Sequence, residues 1–543
     1  MFVRYSSRGQ IQAGRDRVES LGGGYRSSAG GATIGPVEHP PAEDGRPPWA
    51  AHLPAGSDPT GIDLLAGRSL VQVWARRWLD DPDRPILWDA RSGWRTAAQL
   101  ERSSRVVAAR LHRAGLRRGD RVLVSAAAST TLVEAYVGAL RLGLVVVPLN
   151  TDYRQPEIAH VVLDASARAA VVDDRQRAGW IRQGARDAIV VAPEVDLPDG
   201  PTPDLDASGP DDPALICYTS GTTGAAKGAL LRHGNLLASA EALRLAWRWS
   251  ETDRLVLALP LFHLHGLGVG LHGTLLAGAS AILLPRFDVD AVLDAGRDHH
   301  ASLFFGVPTM YSRLTASPRA GELSGLRLCV SGSAPLSPTV FERVAAASGQ
   351  RVLERYGMTE TLMNVSNPYN GERRPGTVGL PLPGVEVRLA NHPEGEVLVK
   401  GPNVFSGYWR DESATSSVFD EDGWFHTGDV GEWDEAGYLR IVGRSRELII
   451  TGGYNVYPRE VEDVLVSHPS VSEAAVVGTP SEEWGEIVTA YVVANHPLPD
   501  TADLLELAAE RLAPFKRPRL VRYVDALPRN AMGKVRRDQL AQG

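Results

Sequence analysis

Cysteine is almost absent: the 543-residue chain holds two, Cys217 and Cys329. Both lie in apolar, strand-like runs without CxxC or metal-ligand spacing, which points to buried small side chains in a reducing compartment and excludes a disulfide-stapled or zinc-built fold. No base or helix N-terminus stands near Cys217 in sequence to make it a thiolate nucleophile. Long hydrophobic runs are missing too, since none approaches the ~18 residues of a membrane span. Positive charge is in deficit, with 57 Lys and Arg against 65 Asp and Glu for a net charge of −8, so there is no electrostatic footprint for nucleic acid. The N-terminus has no apolar core of a secretion signal, and Asp16, Glu19, Glu38 and Glu43 argue against a transit peptide. What is left is a cytoplasmic globular protein acting on small molecules, its 43% hydrophobic content sufficient for two to four structural units.

Residues 1–58, rich in Gly, Pro, Ser and Arg, read as an unstructured extension or an over-long translation start, with no catalytic role. Beyond Ser69 the pattern alternates. A helical period over Ala97–Leu116 leads through a turn to a strand at Arg121–Ser125, a helix near Leu132–Leu142 and a strand at Val145–Pro148. A helix at Glu157–Asp164 and a strand at Ala169–Val172 follow. Such βα alternation predicts parallel sheets covered by helices. Asp199–Asp212, rich in Asp and Pro, reads as a surface connection.

That connection leads to the densest cluster of functional residue types in the chain. After an apolar strand come Thr219-Ser220-Gly221-Thr222-Thr223-Gly224, then Lys227-Gly228. Glycines turn backbone N–H groups toward an anion, hydroxyls donate further bonds, and Lys227 adds charge; the loop is built for phosphate. It is not a Walker A motif, because Gly228 stands where a magnesium-binding hydroxyl is required, and an ordinary P-loop NTPase is disfavoured.

Further on, His263 and His265 end an apolar run and would share one face of a strand as a pocket wall or gate, or as a structural pair, with no third ligand for a metal. Phe304 to Arg313, Val330 to Leu336 (with Ser333-Ala334-Pro335) and Glu354-Arg355-Tyr356-Gly357-Met358-Thr359-Glu360 each place small or polar residues after a strand, where parallel sheets bind ligands. Then come Thr427-Gly428-Asp429, Gly443-Arg444-Ser445-Arg446, Thr451-Gly452-Gly453-Tyr454 and Pro528-Arg529-Asn530-Ala531-Met532-Gly533-Lys534.

In order and spacing, these strings resemble the motifs of the adenylate-forming superfamily of acyl-CoA synthetases, peptide-synthetase adenylation domains and luciferases, from about residue 70 to 541. The resemblance implies an α/β fold: a large N-terminal domain of parallel-rich sheets covered by helices (59–443), a hinge (444–447) at Arg446, and a small mobile α+β C-terminal domain (448–543). It implies ATP and CoA as co-substrates and Mg²⁺ as cofactor. Lys534, Thr359 and Glu360 would be catalytic, and Glu360 and Thr222 would hold the metal. The phosphate loop, Lys227, Ser333, Ala334, Pro335, Glu354, Tyr356 (stacked on adenine), Gly357, Asp429 (on the ribose) and Arg444 would bind ATP or AMP. Gly452, Gly453 and Tyr454 would line the CoA tunnel. Since only nine residues follow Lys534, with no carrier domain among them, a free thiol acceptor is expected. A non-catalytic nucleotide-binding protein would be expected to lack Lys534 or Glu360, and both are present.

The E-R-Y-G-M-T-E-T and G-V-P-T-M-Y-x-R strings closely resemble the malonyl-CoA synthetase branch, in which arginines at the positions of Arg313 and Arg355 hold the distal carboxylate of malonate or methylmalonate. With His263 and His265 they form the candidate acid pocket. The alternatives are that these arginines pair with protein acids such as Glu354, and that the acid is another short-chain or aromatic one. Monomer and homodimer both remain open.

Overall fold

The structure, a computed structural model, describes residues 37–38 and 45–541 apart from 220–225, 391–393, 482, 496–497 and 531–533. Apolar β-branched runs make the strands expected of them. Arg121–Ser125, Val145–Pro148 and Ala169–Val172 lie parallel in a six-stranded sheet, joined by Ile189–Val191 and Pro213–Thr219 and closed by antiparallel Lys227–Arg232. A nine-stranded sheet sets Pro85–Asp89, Ser280–Leu283, Arg254–Leu257, Leu303–Gly306, Leu328–Ser331 and Leu353–Met358 side by side and parallel, with short antiparallel strands at both edges. Strands buried on both faces need helices on both sides. These are supplied by segments such as Ala97–Arg113, opened by a reciprocal cap in which Thr96 Oγ1 accepts from the Gln99 N–H and Gln99 Oε1 accepts from the Thr96 N–H. Trp247 and Trp249 meet Phe305 edge-on at 5.3 and 5.2 Å, filling the space above the larger sheet.

A five-stranded antiparallel sheet ending in Phe425–Trp433 and Leu439–Arg444 follows. Past Arg444 the character changes. Ile449–Thr451, Tyr454–Val456, Val471–Ser481, Gly485–Ala494 and Leu520–Tyr523 form a separate sheet, covered by the helices Pro458–Val466 and Thr501–Arg511 around a core of its own. Among the described residues no helix is long and apolar enough to cross a membrane.

Two expectations need correction. Residues 45–58, assigned to the unstructured extension, are packed from Pro48 on: Ala50, His52 and Leu53 are buried, and His52 Nε2 meets the Leu380 carbonyl at 3.2 Å. A few apolar side chains seated on an existing domain suffice where periodicity is lacking. Residues 1–36 and 39–44 lie outside the described residues. Second, His263 and His265 do not stand on a strand. The strand ends at Leu257, Pro260 opens a turn, and His265 begins a π-helical segment, His265–Leu271, with Gly266 so close to the Pro260 carbonyl that a Cβ there would lie 2.3 Å from its oxygen.

Candidate active site

Strand Leu353–Met358 and the turn that follows it organise the site. Arg355 is buried, 3% exposed, and lies flat against Gly332 at the end of the neighbouring strand, where a Cβ would come within 2.4 Å of its Cζ. Its Nε and Nη2 have no hydrogen-bond partner among the described residues, and burial draws its pKa down to about 9, against the pull of Glu354. Glu354 faces elsewhere. Its Oε1 accepts from the Leu336 N–H at 2.8 Å, and burial pushes its pKa up to about 7. Alternation along a strand sends the two side chains to opposite faces, so the suggested Arg355–Glu354 hydrogen-bonded pair does not form.

Both histidines lie within the field of Arg355. Burial and that guanidinium hold His265 well below the usual range; His263 is lowered to about 3 by burial, with Lys534 and Arg355 adding to it. His263 Nδ1 accepts from the His265 backbone N–H at 3.1 Å, which leaves the His263 ring proton on Nε2 as a donor. His265 Nδ1 meets Ser333 Oγ at 3.1 Å, while its buried Nε2 has no partner among the described residues. Ser333 takes a left-handed conformation (φ 69°), a strained state of the kind retained where geometry matters. The result is a buried wall that carries the His263 Nε2–H donor and a guanidinium with no hydrogen-bonded carboxylate among the described residues.

Arg313 does not join this group through any hydrogen bond or ion pair among the described residues. It is exposed on the helix Pro308–Thr315, with its guanidinium over the Phe287 ring at 4.9 Å.

A second group of buried polar side chains lies on the same strand and the turn after it. Asp429 is 4% exposed and receives two donors: the Tyr356 hydroxyl at 2.6 Å and Arg444 Nε at 2.9 Å, Asp429 and Arg444 being cross-strand partners. Glu360, in the turn between Leu353–Met358 and Leu362–Ser366, is 6% exposed; burial raises its pKa, opposed by the Tyr408 hydroxyl, 3.1 Å from Oε1, and by Arg444 and Lys534. Gly357 before the turn is obligatory, since a Cβ would lie 1.9 Å from the Leu362 carbonyl oxygen. Thr359 shares the turn and is half-buried. Ala334 is half-buried and Pro335 exposed beside Ser333.

Lys534 arrives from the C-terminal domain, its segment folded by the Arg529–Val535 bridge and its own N–H donating to Asn530 Oδ1 at 3.0 Å. It keeps solvent access. Even so, the protein around its ammonium and the Arg444 guanidinium draw its pKa below the ordinary lysine value, while Asp429 and Glu360 pull the other way. Lys227 Nζ sits 5.3 Å from the centre of the Tyr408 ring. Residues 220–225 of the phosphate loop, with Thr222, lie outside the described residues, but both ends are anchored. Thr219 closes one strand, and the Tyr218 hydroxyl beside it donates to Asp164 at 2.5 Å. On the other side the Ala226 carbonyl meets His160 Nε2 at 2.8 Å. Arg446 occupies the single turn Ser445–Glu447 between the two domains. Gly452 and Gly453 have left-handed φ (58° and 81°) at the tip of a hairpin, Gly452 against the Trp484 ring and Tyr454 55% exposed.

Sequence reasoning missed Tyr408, which links Glu360 to Lys227, and the helix residues His160 and Asp164 that hold the loop base. The aromatic pair Tyr408-Trp409 after Gly407 in a loop was the available signal; His160 and Asp164 gave none beyond helical spacing. Cys217 is no nucleophile: it is buried, and burial pushes its pKa up to about 12.

The AMP-binding enzyme family profile matches residues 74–409, and that of the AMP-binding enzyme C-terminal domain matches 460–534. Feruloyl-CoA synthase of an Amycolatopsis species is 37% identical over 455 residues, covering 81% of this chain and 92% of its own. Malonate-CoA ligase of Arabidopsis thaliana is 35% identical over 475 residues, 78% of either chain. Among solved structures, ATP-bound MatB from Rhodopseudomonas palustris matches with a TM-score of 0.83 at 41% identity, over 87% of this chain and 98% of that one. The fold and these matches together define an AMP-forming acid–thiol ligase. The chain belongs to the AMP-binding enzyme family and joins a carboxylic acid to CoA through an acyl-adenylate.

Proposed function

We propose that the acid is malonate or a C2-substituted malonate, activated in the cytoplasm. The observation that carries this reading is Arg355: a guanidinium 3% exposed, with two nitrogens unanswered. A buried charge left without a partner costs about 3–5 kcal/mol, and a second carboxylate on the substrate would relieve it. His263 Nε2–H supplies a further donor. The similarity to a plant malonate-CoA ligase supports the same choice.

The reacting carboxylate is ionised at neutral pH and attacks the α-phosphorus as pyrophosphate leaves, so these residues mainly position and neutralise charge. Lys534, with Thr359, faces the reacting phosphate; Tyr356, Asp429 and Arg444 hold adenosine. Glu360, a buried carboxylate supported by one hydroxyl, fits a cation that takes its other ligands from phosphate and water, with Thr222 as a second protein ligand. Mg²⁺ there would neutralise charge on the phosphates. In the second step the CoA thiol attacks the acyl carbon and AMP departs. Rotation about Arg446 would withdraw Lys534 and bring in Gly452, Gly453 and Tyr454.

The test is AMP release by the purified protein with ATP, Mg²⁺, CoA and a panel of acids. Malonate and methylmalonate are expected to exceed acetate and propionate by at least about tenfold in kcat/KM. Preference for an aromatic or medium-chain acid would overturn the dicarboxylate reading and leave the ligase.

A further inference from the structure

The Lys534 segment is tied to the rest of the small domain just beyond its lysine. Arg537, three residues on, is held by Glu462 of the helix Pro458–Val466, with Nη2 at 2.7 and 2.9 Å from the two carboxylate oxygens, and its Nη1 lies 3.1 Å from Glu447 in the inter-domain turn. The helix therefore carries Lys534. What seats the helix is a neighbouring arginine. Arg459, 8% exposed, donates from Nη1 to the Ile441 carbonyl across the boundary at 2.7 Å, and its Nε lies 3.7 Å from Asp463, which in turn lies 3.9 Å from Arg440 of the large domain. Buried Glu354 lies in the field of Arg459, together with that of Asp463 and Arg355.

We propose that Arg459 is a positioning residue for adenylation: it latches the C-terminal domain onto the strand Leu439–Arg444, and so directs Lys534 toward Glu360 and Asp429. The inference rests on the reading that two domain orientations serve the two half-reactions. Every contact that Arg459 makes across the boundary belongs to the orientation described here, so rotation about the turn breaks all of them.

Arg459→Ala is expected to lower acid-dependent ATP–pyrophosphate exchange on the order of 10- to 100-fold, while CoA thioester formation from supplied acyl-adenylate stays within about twofold. A residue that merely stabilised the small domain would reduce both. Arg459→Lys keeps the charge but lacks the planar fork whose Nη1 reaches the Ile441 carbonyl, and a smaller loss in the same half-reaction is expected; it carries the test if the alanine variant does not fold. Equal loss in both half-reactions of a folded variant, or no loss in exchange, overturns the latch. Failure of the wild-type protein to perform the two half-reactions separately would instead overturn the reading on which it rests.

Discussion

Arg355 is costly to keep where it is. Its neighbours among the described residues offer two uncharged imidazoles and no hydrogen-bonding carboxylate, a setting that the second carboxylate of the proposed acid would answer. Arg355→Ala should lower kcat/KM for malonate by roughly 2–4 kcal/mol and narrow the gap between malonate and acetate, as measured by AMP release. If every acid slowed alike, Arg355 would be supporting the fold rather than reading the substrate. At this scale the sequence was only partly legible. Arg313 and Arg355 both stood in motifs after strands, and nothing in the string distinguished a guanidinium buried against Gly332 from one lying exposed on Phe287. Nor could Tyr408 be assigned to Glu360, because that contact depends on a loop 48 residues away.

The strand–turn–strand from Leu353 to Ser366 and the end of Leu328–Ser331 act as one device, in which glycines set the separations. Gly332→Ala would push a methyl into the Arg355 guanidinium, and overpacking of this kind costs about 1–3 kcal/mol. The acid KM should rise while the ATP KM changes little, measured by initial rates with each substrate varied. Unchanged kinetics would mean that the guanidinium has room to move. Elements of this kind were legible to very different degrees. Arg121–Ser125, Val145–Pro148 and Ala169–Val172 coincide with the strands read from sequence, because four or five consecutive apolar residues in a parallel sheet have no other stable conformation. The histidine pair was misassigned to a strand because the π-helical segment after Pro260 is set by packing against distant residues, which leaves no local period.

Across the whole molecule, the buried histidines set an acid limit. His52 and His233 are lowered to about 4 and His272 to about 3, in each case mainly by burial. The unfolded chain then binds more protons than the native one as pH falls from about 6.5 toward 4, so stability is present above that window and is lost within it. Each such group steepens the decline by up to about 1.4 kcal/mol per pH unit. Urea midpoints at pH 7.5, 6 and 5 should fall accordingly, and His272→Gln should flatten the slope; an unaltered slope would mean that His272 does not remain neutral in the native protein.

The other prediction on this scale concerns the division between domains. Lys534→Ala should abolish adenylate formation yet leave thioester formation from supplied acyl-adenylate, since a solvent-accessible loop lysine carries no core packing. Equal loss of both in a folded variant would contradict a split of labour. The small domain is joined through the single turn Ser445–Glu447, so its docking is an intramolecular event at high effective concentration. Few contacts are then needed to hold it, and a change of ~1.4 kcal/mol at the boundary would shift the ratio of the two proposed orientations tenfold. Variation among descendants of this enzyme could therefore rebalance its two chemical steps by exchanging residues on the side of one short helix that meets the large domain, leaving every atom that meets the acid untouched.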